Sequence, residues 1–495
     1  MVVRVSRVAR GRYVVSVRRS VLWSFGGQGM SSVLAFGTSV LLARLLTPRE
    51  FGIYAIAIAA QGILQVFAMF SVGAYVIRQE QVDQQVLASA FTVNAVISLA
   101  LAALMAGLSF VAAPLLGAAE AGNVLLLLAT TPVIGILTFR PAAMMQREMA
   151  FQTISIILFF NVVVTSAVTL GSAWFGASYM SAALGLVAGA TFQALSYNLV
   201  APQHASLRVS LVNWAHIVKF GLNIVSVSGV SLLMARLSEI VLGRTLGLTA
   251  LGLYGRAAGV TNILAENIYA TATKISYVKL SQDAREHGDL RPTFLRSMNL
   301  ILGLMWPMQL GLAVLAAPIV RLLYGPQWIG AAGPLSLLLL GQLVSLIIGM
   351  NWELFALRDE MFRQTKLEIT RATVGFVAFI AAAPFGLLFA AGSRIFEALF
   401  GILIYRRHVP RLARTLPGEL RAVWGRNVLL AIVAAAPAAL LMWNNGWSSD
   451  VDLRWMWGSI AAGVALWLLA IVLLDHPLWQ EMRSLLTAVK RRRAR

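Results

Sequence analysis

Residues 42–55 read LARLLTPREFGIYA, and two hundred positions later residues 242–256 read LGRTLGLTALGLYGR. Aligned without a gap, Arg44 falls on Arg244, Leu46 on Leu246, Phe51 on Leu251, Gly52 on Gly252 and Tyr54 on Tyr254. Each copy follows one long apolar segment and opens the next, so each is expected to be a short helix-to-helix connection at a membrane surface. A duplicated half of this size in a membrane chain points to two lobes facing each other across a central path.

Composition places the chain in lipid. It is 59% hydrophobic and 12% charged over 495 residues, beyond what a soluble fold of that length tolerates. The net charge of +20 is explained by basic cytoplasmic loops rather than by nucleic acid. With no cysteine, disulfides, thiol nucleophiles and Cys-ligated metals are excluded.

A spanning helix needs about 20 mostly apolar residues. By that measure the fold class is an all-α polytopic membrane protein with about fourteen transmembrane helices. The spans are expected near 20–42, 51–76, 85–112, 124–144, 152–174, 178–200, 216–242, 249–273, 294–322, 330–354, 368–383, 386–404, 426–443 and 455–474. The pair between 368 and 404, split by Pro384 and Gly386, is the least regular. The basic tail with Arg4, Arg7, Arg10, Arg12, Arg18 and Arg19 imitates a secretory signal, but the apolar run after it is too long and ends without an A-x-A site, so it reads as an uncleaved first span.

Basic residues assign the topology. With the N-terminus inside, inner tails and loops hold 31 of the 40 Lys and Arg, counting Lys219, Arg296, Arg371 and Arg426 at the inner ends of their spans, and outer loops hold five. Both termini are therefore expected in the cytoplasm.

Further echoes mark the repeat unit. Ala113-Pro114 recurs as Ala317-Pro318, and Arg147-Glu148 as Arg358-Asp359. The unit is six spans, an even number, so the lobes are expected to be parallel repeats. The organisation is a basic tail (1–19), an N-lobe (20–200), a connector (201–215), a C-lobe (216–404), a basic connector (405–425), an appended helix pair (426–474) and a basic tail (475–495). Pro410 and Pro417 break the second connector, which reads as a positive-inside tether.

The segment SVLWSFGGQGMSSVLAFGTSVLLARLLTPREFGIYAIA at 20–57, the loop QREMAF at 146–151 and LGRTLGLTALGLYGRA at 242–257 resemble the polysaccharide-transporter branch, with its Wzx-type flippases, of the multidrug/oligosaccharidyl-lipid/polysaccharide (MOP) exporter superfamily. The resemblance runs most clearly through the first lobe and extends to about Ile404. It implies a two-lobe exporter that moves a polyprenyl-pyrophosphate-linked oligosaccharide, a repeat unit of a capsule, exopolysaccharide or O-antigen, across the bacterial cytoplasmic membrane by alternating access. Its partners would be that glycolipid, membrane lipids, and the polysaccharide polymerase and glycosyltransferases of the same pathway, with the protein a monomer. Drug antiporters of the superfamily often carry an acidic residue in the first span, and peptidoglycan-precursor flippases an arginine; residues 20–42 carry no charge. An antiporter of the same fold, and a membrane polymerase or ligase acting on the same glycolipid, are the alternatives. The second lacks the large outer domain that such enzymes carry, so no catalytic residue and no cofactor are expected.

Ionisable residues at the bilayer centre cost about 2.5 to 3.5 kcal/mol each on insertion scales. Those inside spans concentrate in the second lobe: Arg236 with Glu239, Arg256, Glu266, and Arg394 with Glu397, while the first lobe has Arg140. The arginines suit a pyrophosphate or acidic sugar, because guanidinium offers a bidentate fork. Glu239, Glu266 and Glu397 are the candidates for carrying a coupling proton or ion. The competing reading is structural, since Arg236/Glu239 and Arg394/Glu397 are i,i+3 pairs on one helix face, and Arg140 and Glu353 lie near a cytoplasmic boundary. Arg256 and Arg394 sit at similar depth below the outer surface and are expected to converge on one anion.

Other motifs carry little. Gly26, Gly27 and Gly29 around Gln28 lack the strand and Lys-Ser/Thr of a phosphate loop, leaving close helix packing as the expectation. The histidines 204, 216, 287, 408 and 476 show no metal-binding spacing. Asp450-Val451-Asp452 spells DxD, but in a short outer loop.

Overall fold

The computed structural model describes residues 28–68, 72–79, 83–212, 214–286 and 288–493. The N-terminal arginines, Glu80, Gly26, Gly27 and His287 lie outside them. Among the described residues the protein is helical throughout, with no strand, as lipid demands of a backbone that must satisfy its own polar groups. The chain divides into two compact units, Met1–Thr249 and Ala250–Arg495.

The repeated stretch is where helices break, and it breaks at equivalent positions. In the first copy the helix over 28–45 ends, and Thr47 and Glu50 form a capping box: Glu50 Oε2 accepts from the Thr47 N–H at 2.8 Å and the Glu50 N–H donates to Thr47 Oγ1 at 3.3 Å. Pro48, preset for a first helical position, opens the helix Pro48–Ala68. In the second copy Leu248 and Ala250 stand where Pro48 and Glu50 stood, so no such cap is available. There the helix Trp214–Ile263 is broken at Gly247, with φ 84° and ψ 170°, a conformation that glycine adopts without a Cβ penalty.

Within unit 1 the first connection is fastened by Arg49 to Glu120 at 2.9 Å and by the Ser178 hydroxyl on Glu50. A Cβ on Gly52 would stand 1.9 Å from the Leu248 carbonyl oxygen, so the two copies of the motif touch through a residue that has to be small. The same device joins Phe151–Trp174 to Ser181–Val200, where Gly185 and Gly189 admit Thr169 and Thr165. Among the described residues nothing stands within 4 Å of a would-be Cβ on Gly29, whereas Gly52, Gly62, Gly185 and Gly189 make such close approaches.

Among the described residues ten helices are long and apolar enough to cross a membrane. They correspond to the third to sixth and ninth to fourteenth expected spans. The irregular pair is two such helices, Met361–Phe385 and Leu387–Tyr405, parted at Gly386 with φ 117°. Of the stretch expected as the second span, Pro48–Ala68 and Val72–Arg78 are described as helix; the seventh lies within Trp214–Ile263; and in the eighth a π-helical turn beyond Ile263, Leu264–Tyr269, leads into Ala270–Glu286.

The final pair, Glu419–Asn444 and Leu453–Leu473, is packed into unit 2. Trp467 Nε1 donates to the Gly303 carbonyl at 2.9 Å, and Leu315, Ala438, Met442, Val451 and Met456 form one buried cluster. The DxD is a helix cap, with Asp452 accepting from the Arg454 N–H at 2.8 Å. The Ala-Ala-Pro echoes each open a short helix, Ala112–Leu116 and Ala316–Tyr324.

Candidate functional site

In unit 2 four charged side chains from two neighbouring apolar helices form a closed network. Arg394, eighth residue of Leu387–Tyr405, donates to Glu397 Oε2 at 2.8 Å. The other oxygen of Glu397 accepts from Arg371 at 2.5 Å, and Arg371 grips Glu368 with Nε at 3.1 Å and an Nη at 2.5 Å. Two arginines balance two glutamates, which is how mid-span charges are tolerated in lipid. Side-chain exposures of 23% for Arg394 and 12% for Glu397 leave little access to water.

Backbone space and an aromatic floor hold the network in place. A Cβ on Gly375 would stand 2.4 Å from Glu397 Cδ, and one on Gly401 3.2 Å from Arg371 Cδ. The guanidinium of Arg394 lies 4.7 Å over the Phe379 ring and its Nε donates to the Tyr254 hydroxyl at 3.3 Å. Tyr254 in turn meets Phe379 edge-on at 5.9 Å.

Arg256 occupies a different seat. It is 4% exposed, with its guanidinium 5.5 Å from the Tyr324 ring and 5.3 Å from the Trp328 ring, a cation–π arrangement. At 3.6 residues per turn, positions 254 and 256 point to different sides of their helix. The residue of this helix that reaches Arg394 is therefore Tyr254, and Arg256 has its own aromatic cage.

The remaining expected residues separate by role. Arg236 pairs with Glu239 at 3.0 Å, and Gly62 makes room for it, since a Cβ there would stand 2.7 Å from Arg236 Nε. Arg140 is 3% exposed and donates to the Ser206 carbonyl at 2.7 Å and to Gln84 Oε1 at 3.3 Å, so it fastens the connector after residue 200 to unit 1. Glu266 lies on the π-helical turn Leu264–Tyr269, exposed, and among the described residues it has no ion-pair partner. Turns of this type often mark functional positions in helices. No three metal-ligating side chains cluster among the described residues.

Outside the spans, Glu360 receives Arg411 at 2.6 Å and Arg363 at 3.1 Å; the hydrogen bond from Arg411 is the main reason its carboxyl is held below the ordinary range. This clasp joins the loop after Leu357 to the basic connector.

Solved structures share this arrangement of long apolar helices. A structure described as lipid II flippase MurJ in an inward closed conformation matches at a TM-score of 0.67 and 14% identity, over 92% of this chain and 98% of that one. An inward-facing multidrug resistance MATE family transporter of the MOP superfamily matches at 0.61 and 14%, over 78% and 95%. The fold is that of MOP-superfamily transporters. The chain belongs to the polysaccharide biosynthesis protein family, whose model matches residues 41–333. Relatives include the lipopolysaccharide biosynthesis protein WzxC of Escherichia coli (strain K12), 21% identical over 63% of this chain and 65% of that protein. Another is the succinoglycan biosynthesis transport protein ExoT of Rhizobium meliloti (strain 1021), 23% identical over 66% of each. The alignments thus span just under two thirds of each relative's own length.

Proposed function

We propose that the protein is a flippase that moves a polyprenyl-pyrophosphate-linked oligosaccharide from the inner to the outer leaflet of the cytoplasmic membrane by alternating access. It does so as fourteen spans, two parallel six-helix lobes plus a helix pair, with both termini cytoplasmic. Membership of the polysaccharide biosynthesis family across residues 41–333 carries the reading, and relatives named for lipopolysaccharide biosynthesis and succinoglycan transport support it.

In this mechanism Arg256, presented by Tyr324 and Trp328, meets the pyrophosphate or an acidic sugar, and its fork outperforms a lysine. The Arg394–Glu397–Arg371–Glu368 network is neutral and stays paired, so it acts as a fixed internal brace. Glu266, exposed on the π-helical turn and without an ion-pair partner among the described residues, is the position assigned to a coupling proton or cation. Depleting the protein in its host tests the reading: surface polymer should disappear while the lipid-linked repeat unit accumulates in the inner leaflet, and undiminished polymer at full depletion would reject it.

A further inference from the structure

Unit 1 contains a cavity of about 470 Å³. Its polar lining comes from Asn94 and Ser98 on Gln84–Phe110, Thr131, Thr138 and Gln146 on Thr130–Arg147, and Gln193 on Ser181–Val200, with the Phe139 ring beside them. Among the described residues that line it none is charged. Asn94 is ten residues into its helix and Thr138 nine from the end of its own, so at 1.5 Å per residue both lie about 14 Å deep, near the bilayer centre.

Polar groups at that depth need partners, since an unsatisfied amide or hydroxyl in an apolar medium costs roughly 2 kcal/mol or more. Asn94, Ser98 and Thr138 make no hydrogen bond to any described residue. Gln193 is held in place, its Oε1 accepting from Asn161 Nδ2 at 3.3 Å, and Asn161 is itself anchored on the Gly189 carbonyl at 2.8 Å. The volume lies within the roughly 300 to 1,000 Å³ of small-ligand pockets. Amides and hydroxyls both donate and accept, which matches sugar hydroxyls, and the absence of cations argues against the pyrophosphate.

We infer that this cavity is a subsite for an uncharged sugar of the glycolipid, a reading that rests on the flippase assignment and adds to it. The cavity's amides and hydroxyls thus offer a chemistry suited to sugar hydroxyls and not to anionic groups.

Because the natural chain has no cysteine, Asn94→Cys and Thr138→Cys each introduce a single thiol into the full-length protein. In inverted vesicles from the polymer-producing host, N-ethylmaleimide labelling at both thiols should be at least threefold slower than in vesicles from a strain lacking the first glycosyltransferase of the pathway, where no glycolipid exists. A thiol from Ser448→Cys should label equally in both. Equal rates at 94 and 138 would mean a water-filled vestibule only and overturn the inference. Export by Asn94→Leu/Gln193→Leu should fall about tenfold at normal abundance; wild-type export from that variant would likewise sink the subsite. Either failure leaves the flippase reading intact, whereas polymer export that continues in the absence of the protein removes the reading itself.

Discussion

Arg394 Nε donates to the hydroxyl of Tyr254 at 3.3 Å, joining the twelfth expected span to the second copy of the repeated motif. Through that bond the second copy of the repeat, whose first copy carries Tyr54 at the same place, is tied to the charge network. Loss of the hydroxyl alone, in Tyr254→Phe, keeps the ring on Phe379 and leaves one guanidinium donor unmet. Thermal unfolding of the purified protein should report a loss of about 1 to 3 kcal/mol, and an unchanged midpoint would show that the bond contributes nothing.

Charge balance makes a sharper prediction. Arg394→Ala leaves Glu368 and Glu397 facing Arg371 alone, a buried imbalance worth about 3 to 5 kcal/mol. Membrane abundance should drop. Arg394→Ala/Glu397→Ala restores the neutral Arg371–Glu368 pair and should recover most of it. Equal abundance of the single and double variants would refute the brace.

Gly375→Ala is expected to be as damaging as a charge removal, because the added Cβ falls 2.4 Å from Glu397 Cδ and nothing there can yield without breaking the network. Gly29→Ala, with open space around it, should leave the midpoint where it was or raise it slightly. The comparison is made by melting the two variants in the same detergent, and a harmless Gly375→Ala would contradict the close contact.

Much of this was legible in the sequence, and the exceptions have physical causes. Apolar run lengths locate ten membrane-crossing helices, and the gapless repeat marks both breaks, although the chemistry of each break differs: a capping box at Thr47 and a left-handed glycine at 247. Arg371 was missed because it and Lys366 depress hydropathy at the inner end of the eleventh expected span, so it reads with the basic inner loop, whereas the helix already begins at Met361. The Glu368/Arg371 spacing, matching that of Arg394/Glu397 with the signs reversed, was the available signal. Arg140's partner, the Ser206 carbonyl, is a non-local backbone atom that no spacing reveals. The neutral cavity in unit 1 draws single polar residues from several helices, each too weak to disturb hydropathy.

Coupling should depend on Glu266. Glu266→Gln is expected to flatten the pH dependence of export, while Glu239→Gln and Glu397→Gln, which lose ion pairs, lower abundance and keep the wild-type pH profile. A wild-type profile in Glu266→Gln would remove this carboxylate from the mechanism.

His476, fully buried beyond the last span, gives a pH prediction with a definite sign. Its Nδ1 accepts from the Leu478 N–H at 3.2 Å, and burial, helped by Arg426, pushes its pKa down to about 4. An unfolded chain takes up that proton near pH 6.5, so the contribution to stability is complete above pH 6.5 and is lost as the pH falls toward 4. The melting midpoint should fall across that window in the wild type and stay flatter in His476→Asn, which keeps an acceptor and cannot titrate. Parallel curves would show that His476 does not carry the effect.

The central claim is translocation, and proteoliposomes test it most directly. Polyprenyl-pyrophosphate-linked oligosaccharide extracted from the host, labelled with a nitrobenzoxadiazole fluorophore on the sugar, is reconstituted with the purified protein, and dithionite is added outside. With wild-type protein, quenching should proceed past the outer-leaflet half toward completion, and with Arg256→Ala the second phase should slow markedly. Quenching that stops at half, as in protein-free vesicles, would contradict the account.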